Sequence, residues 1–163
     1  LYRAKEPPFF IILDGVKDPR NLGAIIRTAE AGGVDGIVFS MHRAAGLGPG
    51  VYKSSAGAWQ YVPLCRLTNI KRAIRTMKEK DITIFGTTSS DEDVMSIWDV
   101  DFKRPAAVIL GSEEKGISRT VKEQCDELIT IPMKGRISSL NVSVAAGIVI
   151  YEALRQRSTA NSS

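Results

Sequence analysis

Cysteine is nearly absent. Cys65 and Cys125 are the two in 163 residues, and they show neither CxxC spacing nor the pattern of a disulfide scaffold. A reducing compartment is the expectation, cytoplasmic or organellar. Histidine is scarcer still: His42 stands alone, so a His-based triad lacks a second member and no cluster has the spacing of a zinc site. No metal is expected. No apolar run approaches the roughly 18 residues of a membrane span, and no signal-peptide pattern opens the chain. The common nucleotide signatures are also missing. The first apolar run is followed by DGVKDPRN, where a dinucleotide site would need GxGxxG. GSEEKG, residues 111–116, lacks the lysine and hydroxyl of a phosphate loop in their required places. Gly46, Gly48 and Gly50 lie close together without a strand-to-helix entry, and GxSxG does not occur.

What is present is an ordinary single-domain composition, 44% hydrophobic with a net charge of +4. That charge is compatible with an acidic partner but carries little weight alone. Residues 1–8, ending in Pro7-Pro8, read as a linker from a preceding domain, and residues 158–163 as a disordered tail. Between them, apolar runs predict strands at 9–13, 36–39, 61–65, 82–85, 106–110 and 128–131. Helical periodicity predicts helices from Asn21 (as N-cap) to Ala31, over 69–80, over 118–125 and from Leu140 onward. Residues 42–58 read as a mobile loop leading into a short helix. The acidic segment 90–101 reads as a helical turn packing Val94, Ile97 and Trp98 on the sheet. Strands alternating with helices imply an α/β fold, a mostly parallel sheet with helices on both faces.

Three strands end in small or polar residues: before Gly86-Thr87, before Gly111-Ser112 and before Pro132. Ligands in open α/β sheets bind beyond the carboxyl ends of strands, and small residues there leave backbone groups within reach. The final helix carries two apolar stripes, one with Leu140, Val144, Ile148 and Tyr151, the other with Val142, Ala145, Val149 and Ala153. Burial on both sides is therefore expected, with Ala145, Ala146 and Gly147 admitting a close neighbour. The polar loop SSLN, 138–141, stands before it, and that junction is read as holding a ligand. Five polar residues call for a role. Arg27 is either a solvated helix arginine or a fork for phosphate or carboxylate. Glu113 either caps a helix or holds Arg27 or an asparagine. Ser139 is either an N-cap or part of the site, Asn141 either a first-turn residue or part of the site, and Asn21, placed as an N-cap, is the fifth.

DGVKDPRNLGAIIRTAEAGGV (14–34), ILGSEEKGIS (109–118) and IPMKGRISSLNVSVAAGIVIYEAL (131–154) resemble, in order and spacing, the three motifs of the SpoU, or TrmH, family of RNA ribose 2′-O-methyltransferases. YKSSAGAWQYVP (52–63) resembles the ribosomal-RNA branch, which includes large-subunit guanosine methyltransferases. The resemblance implies a SPOUT-like α/β domain over residues 9–157 with a C-terminal deep trefoil knot. It implies S-adenosylmethionine held by Gly86, Thr87, Thr88, Leu110, Gly111, Ile131, Met133, Ser139 and Leu140. It puts the catalytic positions on Asn21, Arg27, Glu113, Ser139 and Asn141. The family often casts the arginine as base, but a guanidinium is a poor base at neutral pH, so Arg27 is expected to orient phosphate and 2′-oxygen instead. A homodimer through the knot region is implied as well. Arg20, Arg43, Lys53, Arg66, Lys134 and Arg136 are candidate RNA contacts. Glu114, an unusual second carboxylate, is expected to point outward and pair with Lys115. Transfer to tRNA, and an inactive RNA-binding protein of the same fold, remain as alternatives.

Overall fold

Residues 9–13 are apolar on both faces, and a strand of that kind must be covered twice. The computed structural model, which describes residues 6–40, 48–89 and 94–160, covers it so. In chain order the elements are β1 (Phe9–Asp14), α1 (Pro19–Ala31), β2 (Gly36–Ser40), α2 (Pro49–Ser54), β3 (Leu64–Leu67) and α3 (Ile70–Glu79). There follow β4 (Thr83–Thr87), β5 (Met95–Ser96), β6 (Ala106–Gly111), α4 (Arg119–Gln124), β7 (Glu127–Thr130) and α5 (Val142–Ala160). All strand pairings are parallel, in the order β3-β2-β1-β6-β4-β7-β5.

Alternation along β1 divides the core. Ile11 and Leu13 face a cluster shared with α1 and α5, including Ile25, Ile26, Val149 and Ile150. Ile12 faces the other side, where Ile70 and Ile74 of α3 and Val121 of α4 pack. The expected α/β sheet with helices on both faces is therefore present.

Several local expectations are corrected. Helix α1 begins two residues before Asn21: Asp18 is the N-cap, its Oδ1 accepting from the Arg20 backbone N–H at 2.8 Å. Pro19 supplies a preset first turn. Asn21 is thereby freed from capping. Strand β3 starts at Leu64 rather than residue 61, because a 3-10 turn (Ala58–Gln60) occupies the approach. In 94–101 the chain forms the short strand β5 and a 3-10 turn (Ile97–Asp99). Ile97 is fully buried there, while Trp98 stands 54% exposed rather than packing on the sheet. Residues 1–5, 41–47, 90–93 and 161–163 lie outside the described residues, and with them His42, Arg43, Gly46, most of the expected linker and the end of the expected tail.

The last helix differs most. It is buried along one side, through Val142, Ala146, Val149, Ile150 and Ala153, while Val144 and Tyr151 of the other stripe are each 50% exposed. Ile148 of that stripe is half-buried against the core, so the exposed part of the second side is the edge carrying Val144 and Tyr151. The close approach that the small residues promised falls at Gly32, where a Cβ would sit 2.2 Å from Ile150 Cγ2. The helix also runs on through Ser158 and Thr159, where disorder was expected. Arg157 anchors it: its Nε donates to the Phe102 carbonyl at 2.8 Å and its NH2 to the Arg104 carbonyl at 3.0 Å, while NH1 donates to Pro7 O. Its guanidinium lies 5.2 Å from the Phe9 ring centroid. Arg157→Ala would orphan these carbonyls together, and we expect a loss of about 2–3 kcal/mol, read as a lower urea midpoint at unchanged m-value.

Candidate functional site

The site begins where the sheet stops being continuous. The β4–β6 ladder ends at the pair Gly86–Ile109, but β6 continues along β1 to Asp14–Gly111, and β4 continues along β7 to Thr87–Ile129. Beyond Ile109 the two central strands thus follow different neighbours. The backbone of Leu110 and Gly111 loses its partner on one side and faces a gap. The Thr87 hydroxyl donates to the Ile109 carbonyl at 2.9 Å, bridging the last point of contact.

A tight turn closes one wall of the gap. Gly116 N–H donates to Ser112 O at 2.8 Å, and Lys115 N–H to the Ser112 hydroxyl at 3.2 Å, with Gly116 left-handed at φ 63°. The turn folds directly onto Gly111: a Cβ there would lie 2.1 Å from the Gly116 carbonyl carbon and 2.3 Å from Ile117 N. Asp14 Oδ2 accepts from Ser118 N–H at 2.7 Å and ties the turn's exit to the end of β1. The opposite wall is the segment from Ile131 to Leu140, which leads into α5.

Between these walls lies a cavity of about 620 Å3. It is lined by Thr87, Thr88, Leu110, Gly111, Ile131, Met133, Ser139 and Leu140, so eight of the nine residues expected around a cofactor meet in one place. Gly86 is the exception. It is buried behind the cavity, and its missing side chain makes room for Cys125, whose Sγ would be 2.6 Å from a Cβ there. Burial first, and then the neighbouring Asp126, push that thiol up to about 11, so Cys125 stays protonated at neutral pH and is packing rather than a nucleophile.

The turn also contributes lining residues that sequence patterning missed: Glu114, Lys115 and Ile117, with Lys122 of α4 nearby. Glu114 and Lys115 are both exposed along the cavity's edge, and among the described residues the expected ion pair between them is not formed. Only the three-dimensional reversal at Ser112–Gly116 brings these residues to the cavity.

At the cavity's mouth three polar residues converge from three distant segments. Asn141 Nδ2 donates to Glu113 Oε1 at 2.8 Å and to Asn21 Oδ1 at 3.2 Å. The other end of the same amide caps α5: Asn141 Oδ1 accepts from Ser143 N–H at 2.9 Å and Val144 N–H at 3.3 Å. Asn141, not Ser139, is therefore the cap, and its orientation is fixed by both ends. Glu113 Oε1 also accepts from Val142 N–H at 3.3 Å, placing the carboxylate at the helix start, where the dipole favours it.

Arg27 is not part of this cluster within the chain. Six positions after Asn21 on one helix place it roughly 120° around and ~9 Å along the axis. It is exposed, and among the described residues it makes no ion pair or side-chain hydrogen bond. Glu113 holds an asparagine rather than Arg27. Ser139 lines the cavity without joining the trio. Of the candidate RNA contacts, Lys53, Arg66, Lys134 and Arg136 are exposed, and Arg20 is exposed with Asp18 at 3.4 Å. No group of three His, Cys, Asp or Glu that could hold a metal occurs among the described residues, and none of their helices is long and apolar enough to cross a membrane.

The sequence profile of the SpoU rRNA Methylase family matches residues 8–151. A 23S rRNA (guanosine-2′-O-)-methyltransferase, RlmB, of Shewanella oneidensis is 47% identical over 92% of this chain and 60% of its own length. The protein of that name in Nitrosomonas europaea is 46% identical over 94% of this chain and 58% of its own. The chain thus spans about three-fifths of the length of these relatives. Among solved structures, the SpoU methyltransferase AviRb of Streptomyces viridochromogenes, in complex with AdoMet, superposes with a TM-score of 0.86 at 31% identity, covering 96% of this chain and 63% of that one. The TrmH/SpoU tRNA modifying enzyme of A. aeolicus gives 0.87 at 31% identity, covering 96% and 78%. The fold is shared throughout, including the C-terminal knot that the resemblance implied.

Proposed function

The chain belongs to the SpoU rRNA methylase family, and from that premise we propose that it transfers a methyl group from S-adenosylmethionine to the ribose 2′-hydroxyl of a ribosomal RNA nucleotide, guanosine being favoured. The observation that carries this reading is the hydrogen-bonded trio Asn21–Asn141–Glu113 at the mouth of a backbone-lined cavity. The cavity fits the cofactor in size and chemistry. At about 620 Å3 it falls within the range of small-molecule sites. Leu110, Ile131, Leu140, Val142 and Ala145 give it apolar walls, and the ladder's early end leaves backbone donors and acceptors for a polar ligand.

Bound S-adenosylmethionine supplies an electrophilic methyl on a sulfonium, and no metal is needed for that chemistry. The chain's residues then have to hold a ribose in line and manage one proton. Glu113 Oε2 and the Asn21 amide nitrogen are the trio's atoms not spent on one another. The carboxylate oxygen accepts from the ribose hydroxyl, and the amide orients the ribose or its phosphate. Arg27, exposed on the same helix as Asn21, orients the RNA phosphate and offsets negative charge developing on the 2′-oxygen. A second copy of the chain covering the exposed Val144–Tyr151 side of α5 accounts for that apolar stripe, and we place the dimer contact there.

Calorimetric titration with S-adenosylmethionine, using NAD and ATP as controls, is the direct test. Binding of S-adenosylmethionine alone is expected. Arg27→Ala should leave that binding intact and cut transfer to ribosomal RNA by about 100-fold or more. Affinity for NAD or ATP in place of S-adenosylmethionine would reject the reading. Cofactor and RNA binding without transfer would favour an inactive RNA-binding protein.

A further inference from the structure

The segment between Pro49 and Leu67 carries features that the transfer site does not use. Tyr52 and Trp59 lie ring to ring, 4.6 Å between centroids and tilted by 44°. They are 39% and 37% exposed, and Tyr61, two residues after Trp59, is 74% exposed. This arrangement is built, not incidental. Ser55 is fully buried, its hydroxyl donating to the Tyr52 carbonyl at 3.1 Å. Ala56 and Gly57 then take left-handed conformations in succession, φ 53° and 84°, and turn the chain back so that Trp59 meets Tyr52. A non-glycine residue holds such a backbone only where its surroundings impose it.

The segment is also locked to the helix that bears Asn21 and Arg27. The Ser54 hydroxyl donates to Gly50 O at 2.7 Å and lies 3.2 Å from Pro19 O at the start of α1. A Cβ on Gly23 would fall 1.7 Å from that hydroxyl, so α2 rests directly on α1. Arg66 pairs in register with Phe39, whose side chain belongs to the core on the α1 side, so Arg66 projects from the sheet edge toward the same side. Charge adds a further argument. From Gly36 to Lys78 the sequence holds no Asp or Glu and seven Lys or Arg, although the whole chain has 18 acidic residues. An aromatic surface with no carboxylate in its segment and with cations at its rim is complementary to a polyanion that also presents flat apolar faces.

The geometry points to Tyr52, Trp59 and Tyr61 as a stacking platform for unpaired bases of the RNA, with Lys53 and Arg66 holding the backbone alongside. It rests on the RNA-directed reading above and extends it, since it says how the strand next to the target ribose is gripped. Stacking of this kind tolerates any base, because every base has a π-face. The platform fixes where the strand lies and leaves sequence choice to other contacts.

The chain has two tryptophans, so Trp98→Phe leaves Trp59 as the sole reporter. Adding an unstructured mixed-sequence RNA oligonucleotide at low salt should quench its emission. Trp59→Ala and Tyr61→Ala should each weaken RNA binding roughly 5- to 50-fold with an unchanged salt slope. Arg66→Ala should instead reduce the slope by ~0.7. Binding of heparin, a polyanion without bases, should be the same for the aromatic variants and the parent. Tyr61 is exposed enough that its variant tests the idea even if Trp59→Ala fails to fold. Saturation by RNA without quenching, or aromatic variants that bind RNA as the parent does, would overturn the platform and assign the patch to a protein contact. S-adenosylmethionine titration of the same proteins separates the two levels: cofactor binding retained alongside indifferent aromatics removes the platform alone, whereas loss of both ligands in the parent removes the RNA methyltransferase reading with it.

Discussion

Gly111→Ala is expected to lower stability by about 3 kcal/mol, a fall in Tm of roughly 6–12 °C for a chain of this size, and to abolish cofactor binding at ligand concentrations that saturate the parent. The added methyl would sit 2.1 Å from the Gly116 carbonyl carbon and 2.3 Å from Ile117 N. Both are backbone atoms, so no rotamer change relieves the overlap. Either β6 or the turn from Ser112 to Gly116 has to move, and each is a wall of the cavity. Two other glycines calibrate the effect. Gly116 has open space around it but φ 63°, so alanine there should cost only about 1 kcal/mol, from the left-handed backbone. Gly135 has neither constraint, and its alanine variant should match the parent in a urea melt. Equal losses at Gly111 and Gly135 would show that the turn is not pressed against the strand.

The second large effect is at Asn141, whose two ends do different work. Asn141→Ala removes the α5 cap, at a cost of about 1 kcal/mol, and releases Glu113 and Asn21. We expect methyl transfer to fall by about 100- to 1000-fold. Asn141→Asp separates the roles. Its oxygen still caps Ser143 and Val144, so part of the lost stability should return. It cannot donate, however, and it sets a second carboxylate where Nδ2 now meets Glu113 Oε1 at 2.8 Å. Transfer should therefore stay as low as with alanine. Recovery of transfer in the aspartate variant would mean that the donated bonds to Glu113 and Asn21 do not matter to the reaction.

Sequence patterning revealed most of the sheet because the inner strands are buried on both faces and read as short continuous apolar runs; Ala106 to Leu110 is one. It also located the cavity, since a ligand site at the carboxyl ends of parallel strands follows from topology alone. The errors are informative. An N-cap at Asn21 is pre-empted by Asp18-Pro19 just before it, the stronger start signal, an acceptor followed by a preset first turn. The family resemblance puts Gly86 at the cofactor, but its absent side chain makes room for Cys125, a partner nearly forty positions away that no local pattern reveals. Glu114, Lys115, Ile117 and Lys122 reach the cavity only after the chain reverses at Ser112. The offset of Arg27 from the trio, by contrast, follows from the sequence alone, since six residues do not return to one helical face. The knot left no trace in periodicity and came only with the family resemblance.

The strand order has a kinetic consequence. Strand β1 lies between β2, its near neighbour in sequence, and β6, so that Phe9 pairs with Ala106. A chain emerging from the ribosome can form β1, α1, β2 and β3 early, yet the inner side of β1 has no partner until residue 111 has been made. Until then an apolar strand presents an open edge to anything nearby. Such pairings carry a large loop-closure cost and form slowly. The strand that seals this edge also ends as a wall of the cavity through Leu110 and Gly111, so protecting β1 and starting the ligand site fall to one late-made element, and the segment from Ile131 to Leu140 completes the cavity afterwards.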